Sequence, residues 1–121
     1  MDRAGGPPLT PSGTVTFLFT DIEGSTPLWD SFPDAMGVAL ARHDEILRSA
    51  IDANGGHVFS TAGDGVGAVF HRAANAIAAA LAAQRELSAE AWVGGPVLRV
   101  RMGVHTGEAE ERDGDYFGPA V

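Results

Sequence analysis

Two aspartates stand at positions where they could bind a metal ion. Asp21 follows the apolar segment Thr14–Thr20, and Asp64 lies between two glycines in a Gly-Asp-Gly turn. If the segments that carry them are neighbouring strands, both carboxylates meet at one edge of a sheet. There they repel each other unless a divalent cation lies between them, because the chain contains no Lys to compensate their charge.

Carboxylate oxygens favour Mg²⁺ or Mn²⁺ as ligands. Two such ions together can hold a triphosphate and activate a hydroxyl for in-line attack on it. Aspartates at strand ends are also common in ordinary turns, so their spacing alone leaves the turn interpretation open.

The segment that follows Asp21 has the composition of a phosphate-binding turn. Gly24, Ser25 and Thr26 open a helix, whose first backbone N–H groups can face a phosphate, although an ordinary helix cap gives the same pattern. The glycines around Asp64 lead into a strand and not into a helix, and a Walker motif needs a Lys. The sequence therefore supports neither a Rossmann domain nor a P-loop.

The remaining polar and aromatic residues indicate no second chemistry. The four histidines have no pair at metal-ligand spacing and are interpreted as structural or solvated. Trp29 and Phe32 are interpreted as core residues. Ser25 and Ser60 lack a surrounding His and Asp pattern, which argues against serine hydrolysis.

Composition excludes several classes of protein. The 121 residues carry 16 acidic and 8 basic groups, so the formal charge of −8 would repel a nucleic acid backbone. The chain has no Cys, which excludes disulfides and thiolate metal sites and fits a reducing compartment. No apolar run could span a bilayer, and the first residues do not resemble a signal peptide. These features predict a cytoplasmic protein with neither a nucleic acid nor a membrane as partner.

Patterning predicts the elements that must position the aspartates. Residues 1–13 are rich in Gly and Pro and are predicted to be a flexible leader, and residues 14–121 form one domain. The expected strands and helices are a strand at Thr14–Thr20, a helix at Asp34–Ala53, a hairpin of His57–Ala62 and Val66–Phe70, a helix at Ala73–Ala91 and a strand at Val97–Val104.

The apolar residues of these elements indicate which faces are buried. The first helix places an apolar stripe on one side, formed by Met36, Leu40, Leu47 and Ile51. The second helix places three large apolar residues on one side, Ile77, Leu81 and Leu87. The last strand alternates, with one apolar face formed by Leu98, Val100, Met102 and Val104. Glu108–Asp115 is predicted to be a solvated connection.

The element order β-α-β-β-α-β predicts a ferredoxin-like α+β fold, with an antiparallel sheet and two helices on one face. The other face of the sheet is then free, and Arg99 and Arg101 emerge on it, where a partner or a ligand could sit.

Four sequence segments in this order closely resemble the class III adenylate and guanylate cyclase catalytic domain, in its bacterial branch. They are VTFLFTDIEGST at Val15–Thr26, GGHVFSTAGDGVGAVF at Gly55–Phe70, RVRMGVHTGEA at Arg99–Ala109 and GDYFGPAV at Gly114–Val121. The family has the ferredoxin-like fold inferred above, and its members form cyclic nucleotides from nucleoside triphosphates.

The resemblance implies roles for individual residues. Asp21, Asp64 and the carbonyl group of Ile22 match the ligands of two Mg²⁺ or Mn²⁺ ions, and the segment from Ile22 through Glu23, Gly24 and Ser25 to Thr26 matches the phosphate-binding backbone. Ser60 and Asp115 match purine contacts, with Ser60 at a position where adenylate cyclases usually have Lys. The substrate implied is ATP, with GTP as the alternative.

Family members act as head-to-tail homodimers in which one protomer supplies the metal aspartates and the other the purine contacts. The family's transition-state Asn and Arg would follow Val121, so the resemblance implies no such catalytic residue within residues 1–121 and weak or absent activity for this truncated chain. A catalytically degenerate nucleotide-binding or dimerising regulatory module is the alternative function. A diguanylate cyclase is a third, since residues 62–65 imitate its signature loosely.

Overall fold

The fold is an antiparallel sheet with helices packed on one face. The computed structural model describes residues 13–112 and 115–117. Their elements are β1 Gly13–Ile22, α1 Ser25–Ser31, α2 Pro33–Ala53, β2 His57–Ala62, β3 Gly65–Phe70, α3 Ala73–Ala89, β4 Val100–Arg112 and β5 Asp115–Phe117. The strand order is β2-β3-β1-β4-β5, which confirms the ferredoxin-like arrangement and adds a short edge strand.

β1 lies at the centre of this sheet, between β3 and β4. Its apolar run from Val15 to Leu18 is buried, as expected for a strand covered on both faces. The predicted leader, residues 1–13, lies outside the described residues apart from Gly13, which already belongs to β1. Residues 113–114 and 118–121 of the predicted domain also lie outside them.

The helices pack on one face over a core that includes Leu18, Ile22, Leu47 and Phe70. In α2 the predicted residues Met36, Leu47 and Ile51 are buried and Leu40 is half-buried, and His43 joins them as a structural, fully buried histidine. None of the described helices is both long and apolar enough to cross a bilayer.

The face that α3 buries differs from the expected one. Ile77 and Leu81 are about half exposed, and of the three large residues only Leu87 is buried. The rest of the buried side is a stripe of alanines, Ala76, Ala79 and Ala83. Small side chains let the helix lie close to α2 and to the sheet, and this close approach decides which face turns inward.

The last strand also departs from the sequence prediction. β4 begins at Val100, and it runs on through Glu108 to Arg112, where a solvated connection was expected. Leu98 and Val100 are buried as predicted, whereas Val104 is 44% exposed. The extension forms because β4 pairs with β1 along the whole length of β1 and then turns into β5.

The second face of the sheet is not free, which corrects the expectation above. The arm formed by β5 and the end of β4 places Tyr116 against Phe17, with ring centroids 5.8 Å apart, and against Phe59, at 5.0 Å. Phe17 is fully buried in this cluster, and Phe19 beside it is 40% exposed. Part of the face is therefore covered by the chain itself, and the part near Phe19 stays open.

Tyr116 offers a direct test of how this arm packs. Burial raises the pKa of its hydroxyl to about 12, helped by the nearby charge of Glu111. Since the unfolded value is about 10, the folded protein is stabilised by the neutral phenol below pH 10 and loses this contribution as the pH rises toward 12. Tyr116 is the only tyrosine in the sequence, so tyrosinate absorbance reports on it alone.

We expect the absorbance titration to have its midpoint well above pH 10 while the circular dichroism spectrum stays native. A midpoint near 10 in the folded protein would show that the arm does not bury Tyr116.

Candidate active site

The structure brings Asp21 and Asp64 to the same edge of the sheet. Asp21 is the second-last residue of β1, and Asp64 lies in the turn that joins β2 to β3. β1 and β3 are paired, with Thr20 opposite Val66, so the turn arrives beside the end of β1. The backbone N–H of Ile22 donates a hydrogen bond to Asp64 Oδ2 at 3.3 Å. Asp21 and Asp64 therefore lie at one edge of the sheet, as inferred from the sequence.

Two glycines make this close approach feasible. Gly63 has a φ of +60°, a conformation that side chains with a Cβ rarely adopt. Gly65 faces the carbonyl oxygen of Thr20, which would lie 3.1 Å from a Cβ placed there. The Gly-Asp-Gly sequence thus allows the turn to press against the end of β1 and to hold Asp64 beside Ile22.

The predicted phosphate-binding segment forms the turn between β1 and α1. Gly24 takes a left-handed conformation, with φ at 63°, and no side chain among the described residues caps the N-terminus of α1. The N–H of Glu23 is already used, because it donates to the carbonyl oxygen of Arg99 at 2.8 Å. Of the five residues in the predicted phosphate-binding segment, Ile22 and Glu23 therefore have their amides engaged within the fold, which leaves those of Gly24, Ser25 and Thr26.

Asp21 has a cationic neighbour that the sequence interpretation did not assign to it. Arg101 of β4 stands opposite Asp21 in the strand register and donates two hydrogen bonds, from Nε to Oδ1 at 2.9 Å and from Nη2 to Oδ2 at 2.8 Å. These bonds and the charge of the guanidinium lower the pKa of Asp21, so its carboxylate stays ionised. The expectation of uncompensated carboxylates was wrong because it considered Lys and not the Arg residues of the paired strand.

The donor set at this edge fits a hard divalent cation. It offers the carboxylates of Asp21 and Asp64 and the backbone carbonyl of Ile22, which are all oxygen ligands of the kind that Mg²⁺ and Mn²⁺ prefer. Across residues 13–112 and 115–117, no group of three or more acidic or histidine side chains could hold a metal ion. With so few protein ligands, Mg²⁺ would keep water and substrate phosphate in its coordination shell.

The two predicted purine contacts lie on the two edge strands of the sheet, β2 and β5. Ser60 is exposed on β2, next in sequence to Phe59, and Asp115 is exposed on β5, next to Tyr116. Because the rings of Phe59 and Tyr116 touch, the backbones of Ser60 and Asp115 run near each other. The Asp115 carboxylate accepts a hydrogen bond from the N–H of Tyr116 at 2.9 Å.

Asp21 and Asp115 are held at opposite ends of β4. Asp21 pairs with Arg101, the second residue of this strand, and Asp115 pairs with Arg112, the last. The arm that carries Asp115 nevertheless folds back over the sheet, because Tyr116 contacts Phe17 and Phe59.

A comparison with protein families identifies the family of the chain. The model of the adenylate and guanylate cyclase catalytic domain matches residues 8–112. The chain belongs to this family. The cyclase domain is 42% identical over 115 residues to an uncharacterised protein of Mycobacterium tuberculosis, a match that covers 93% of this chain and 38% of that protein.

Other similar proteins include a named adenylate cyclase and a solved structure. An adenylate cyclase of Neurospora crassa is 34% identical over 136 residues, covering 92% of the cyclase domain and 6% of the fungal enzyme. A structure of adenylate cyclases of Trypanosoma brucei in their monomeric state superposes with a TM-score of 0.83 at 26% identity, over 97% of this chain and 69% of that one. The cyclase domain thus spans well under half the length of the mycobacterial and fungal relatives, 38% of the first and 6% of the second.

Proposed function

We propose that this domain converts ATP to cyclic AMP and pyrophosphate for intracellular signalling, slowly when residues 1–121 act alone, with GTP as the alternative substrate. The 3′-hydroxyl of the ribose loses its proton to water and attacks the α-phosphate, the bond between the α-phosphorus and the bridging oxygen breaks, and pyrophosphate leaves. The observation that carries the proposal is the convergence of Asp21 and Asp64 beside Ile22, within a chain of the cyclase family.

Asp21, Asp64 and the Ile22 carbonyl are the groups proposed to hold two Mg²⁺ or Mn²⁺ ions. When bound, such ions lower the pKa of the attacking hydroxyl and neutralise charge on the phosphates. The chain itself fixes the geometry: the hydrogen bond from Ile22 N–H orients Asp64, and the sheet register holds Asp21 at the end of β1. We propose that the free amides of Gly24, Ser25 and Thr26 orient the triphosphate.

We further propose that two copies form a head-to-tail homodimer in the cytoplasm. The open part of the second sheet face supports this assembly, since Phe19 is 40% exposed there and lines a groove with Asp21 that a second chain could cover. In such a dimer Ser60 and Asp115 of one copy contact the purine of a nucleotide whose phosphates lie at Asp21 and Asp64 of the other. Ser60 is short and uncharged, so base selection depends mainly on Asp115.

A nucleotide-binding regulatory module is the second candidate function. The observation that favours it is the ion pair between Arg101 and Asp21, which occupies both oxygens of one proposed metal ligand. A module of this kind would bind a nucleotide and change its assembly without forming a product.

Calorimetry and product analysis separate the two candidates. The protein is titrated with ATP in Mg²⁺ and incubated with ATP or GTP in Mn²⁺, and the nucleotides are then resolved by chromatography. Cyclisation predicts binding together with a 3′,5′-cyclic product and an equal amount of pyrophosphate. Binding without product would contradict the catalytic proposal in favour of the regulatory module, and absence of binding would contradict both.

A further inference from the structure

The pairing of Arg101 with Asp21 has the geometry of a bound cation. The planar guanidinium uses Nε for one carboxylate oxygen and Nη2 for the other, at 2.9 Å and 2.8 Å. Each oxygen through which Asp21 could ligate a metal ion therefore already accepts a hydrogen bond from this guanidinium. Charge-assisted, two-pronged pairs of this kind are the most directional of the ionic hydrogen bonds.

Arg101 faces acidic groups on more than one side. Asp21 is its hydrogen-bond partner, and the charges of Glu23 and Asp64 also raise the pKa of its guanidinium. Arg101 thus lies within electrostatic reach of both proposed metal ligands and of the turn beside them. A divalent cation placed among the same carboxylates would repel this guanidinium.

We propose that the Arg101 guanidinium takes the place of a metal ion at the sheet edge formed by Asp21, Ile22 and Asp64. It must release Asp21 before that carboxylate can bind a divalent ion. The inference rests on the proposed function, because it takes Asp21 as a metal ligand. It adds that metal binding to this edge is a competition between two cations, one of which belongs to the chain.

The surroundings of Arg101 allow this release. Its side chain is 64% exposed and that of Asp21 is 48% exposed, so neither is locked by packing. The two line an open groove of about 320 Å³ together with Phe19 and Gly103. A Cβ at Gly103 would meet nothing within 4 Å, so the guanidinium has room to turn away along the strand.

The strength of the competition follows from this exposure. Solvent-exposed ion pairs contribute little to stability, and even a well-formed pair shifts an equilibrium only modestly. We therefore expect removal of the guanidinium to tighten the binding of Mn²⁺ to the nucleotide-free protein by about three- to tenfold.

Titration of the free Mn²⁺ signal by electron paramagnetic resonance tests the proposal. The variant is Arg101→Met, which keeps much of the aliphatic length and removes the charge. The matched control is Arg99→Met, two residues earlier in the chain, for which the described residues show no ion-pair partner. The proposal requires tighter Mn²⁺ binding by Arg101→Met than by Arg99→Met, since both lose one positive charge.

Equal affinities in the two variants would overturn the proposal, because the effect would then be one of net charge alone. Weaker binding by Arg101→Met would overturn it as well, since the arginine would then support metal binding. As a second readout, the Nε–H resonance of Arg101 is followed while Mg²⁺ is added. It should shift in step with binding, and an unchanged resonance at saturation would contradict release.

The variant Asp21→Asn distinguishes failure of this inference from failure of the proposed function. If Asp21→Asn binds Mn²⁺ as well as the unaltered protein does, Asp21 is not a metal ligand and both proposals fail. If Asp21→Asn loses Mn²⁺ while the two arginine variants behave alike, only the competition fails.

Discussion

Replacing Asp21 by Asn should lower the rate of cyclic AMP formation from Mn-ATP at least about a hundredfold. The amide keeps the size of the side chain but removes the charge that would hold a divalent ion, and metal ions contribute several kcal/mol to phosphoryl-transfer transition states. The fold should survive, because the only described contact of this side chain is its exposed pair with Arg101. Initial rates at saturating Mn-ATP, together with circular dichroism spectra, measure both expectations.

Asp52→Asn is the matched control for this experiment. Asp52 is an exposed aspartate near the end of α2, and its replacement changes the net charge by the same amount. The control should retain the unaltered rate. If Asp21→Asn also retained it, the assignment of Asp21 to the metal edge would be wrong.

Replacing Phe17 by Ala should destabilise the domain by about 3–5 kcal/mol, which is a large part of the 5–15 kcal/mol typical of a domain. Phe17 is 0% exposed in the middle of β1, and its ring packs against Phe19, Phe59 and Tyr116. Removing it leaves a cavity between the sheet and the arm formed by β5 and the end of β4. Unfolding in urea, followed by circular dichroism, gives the change in free energy.

Phe19→Ala provides the comparison, because Phe19 has the same side chain on the same face of the same strand. It is 40% exposed, so less apolar surface returns to water when it is truncated. We expect a loss of about 1–2 kcal/mol. Equal losses in the two variants would show that the cluster around Phe17 does not form the buried core of this face.

The sequence allowed the central strand, the hairpin and the meeting of Asp21 with Asp64 to be predicted, because each depends on local patterns. β1 is a continuous apolar run, and the Gly-Asp-Gly turn specifies a tight connection next to it. The family resemblance then supplied candidate roles for residues that spacing alone could not assign. It did not predict that the Glu23 amide donates a hydrogen bond to the Arg99 carbonyl, which makes this amide unavailable for a phosphate.

Features that depend on distant pairing escaped prediction. Arg101 could be placed on the correct face by alternation, but its position opposite Asp21 follows from the register between β1 and β4. The inward face of α3 was misjudged because Ile77 and Leu81 are more apolar than alanine, whereas the narrow space above the sheet admits the alanines. Tyr116 and β5 lie in a segment too short for periodicity, and only the ring contacts with Phe17 and Phe59 reveal their packing.

A mixing experiment tests most directly whether catalysis occurs in a site shared by two chains. Asp21→Asn and Asp115→Ala should each be nearly inactive alone, the first for want of a metal ligand and the second for want of a purine contact. In a random mixture half of the head-to-tail dimers contain one chain of each kind, and one of their two sites keeps both aspartates. The mixture should therefore recover about a quarter of the unaltered rate of cyclic AMP formation from Mn-ATP. A mixture as inactive as its two components, with dimers present by sedimentation, would contradict a shared catalytic site.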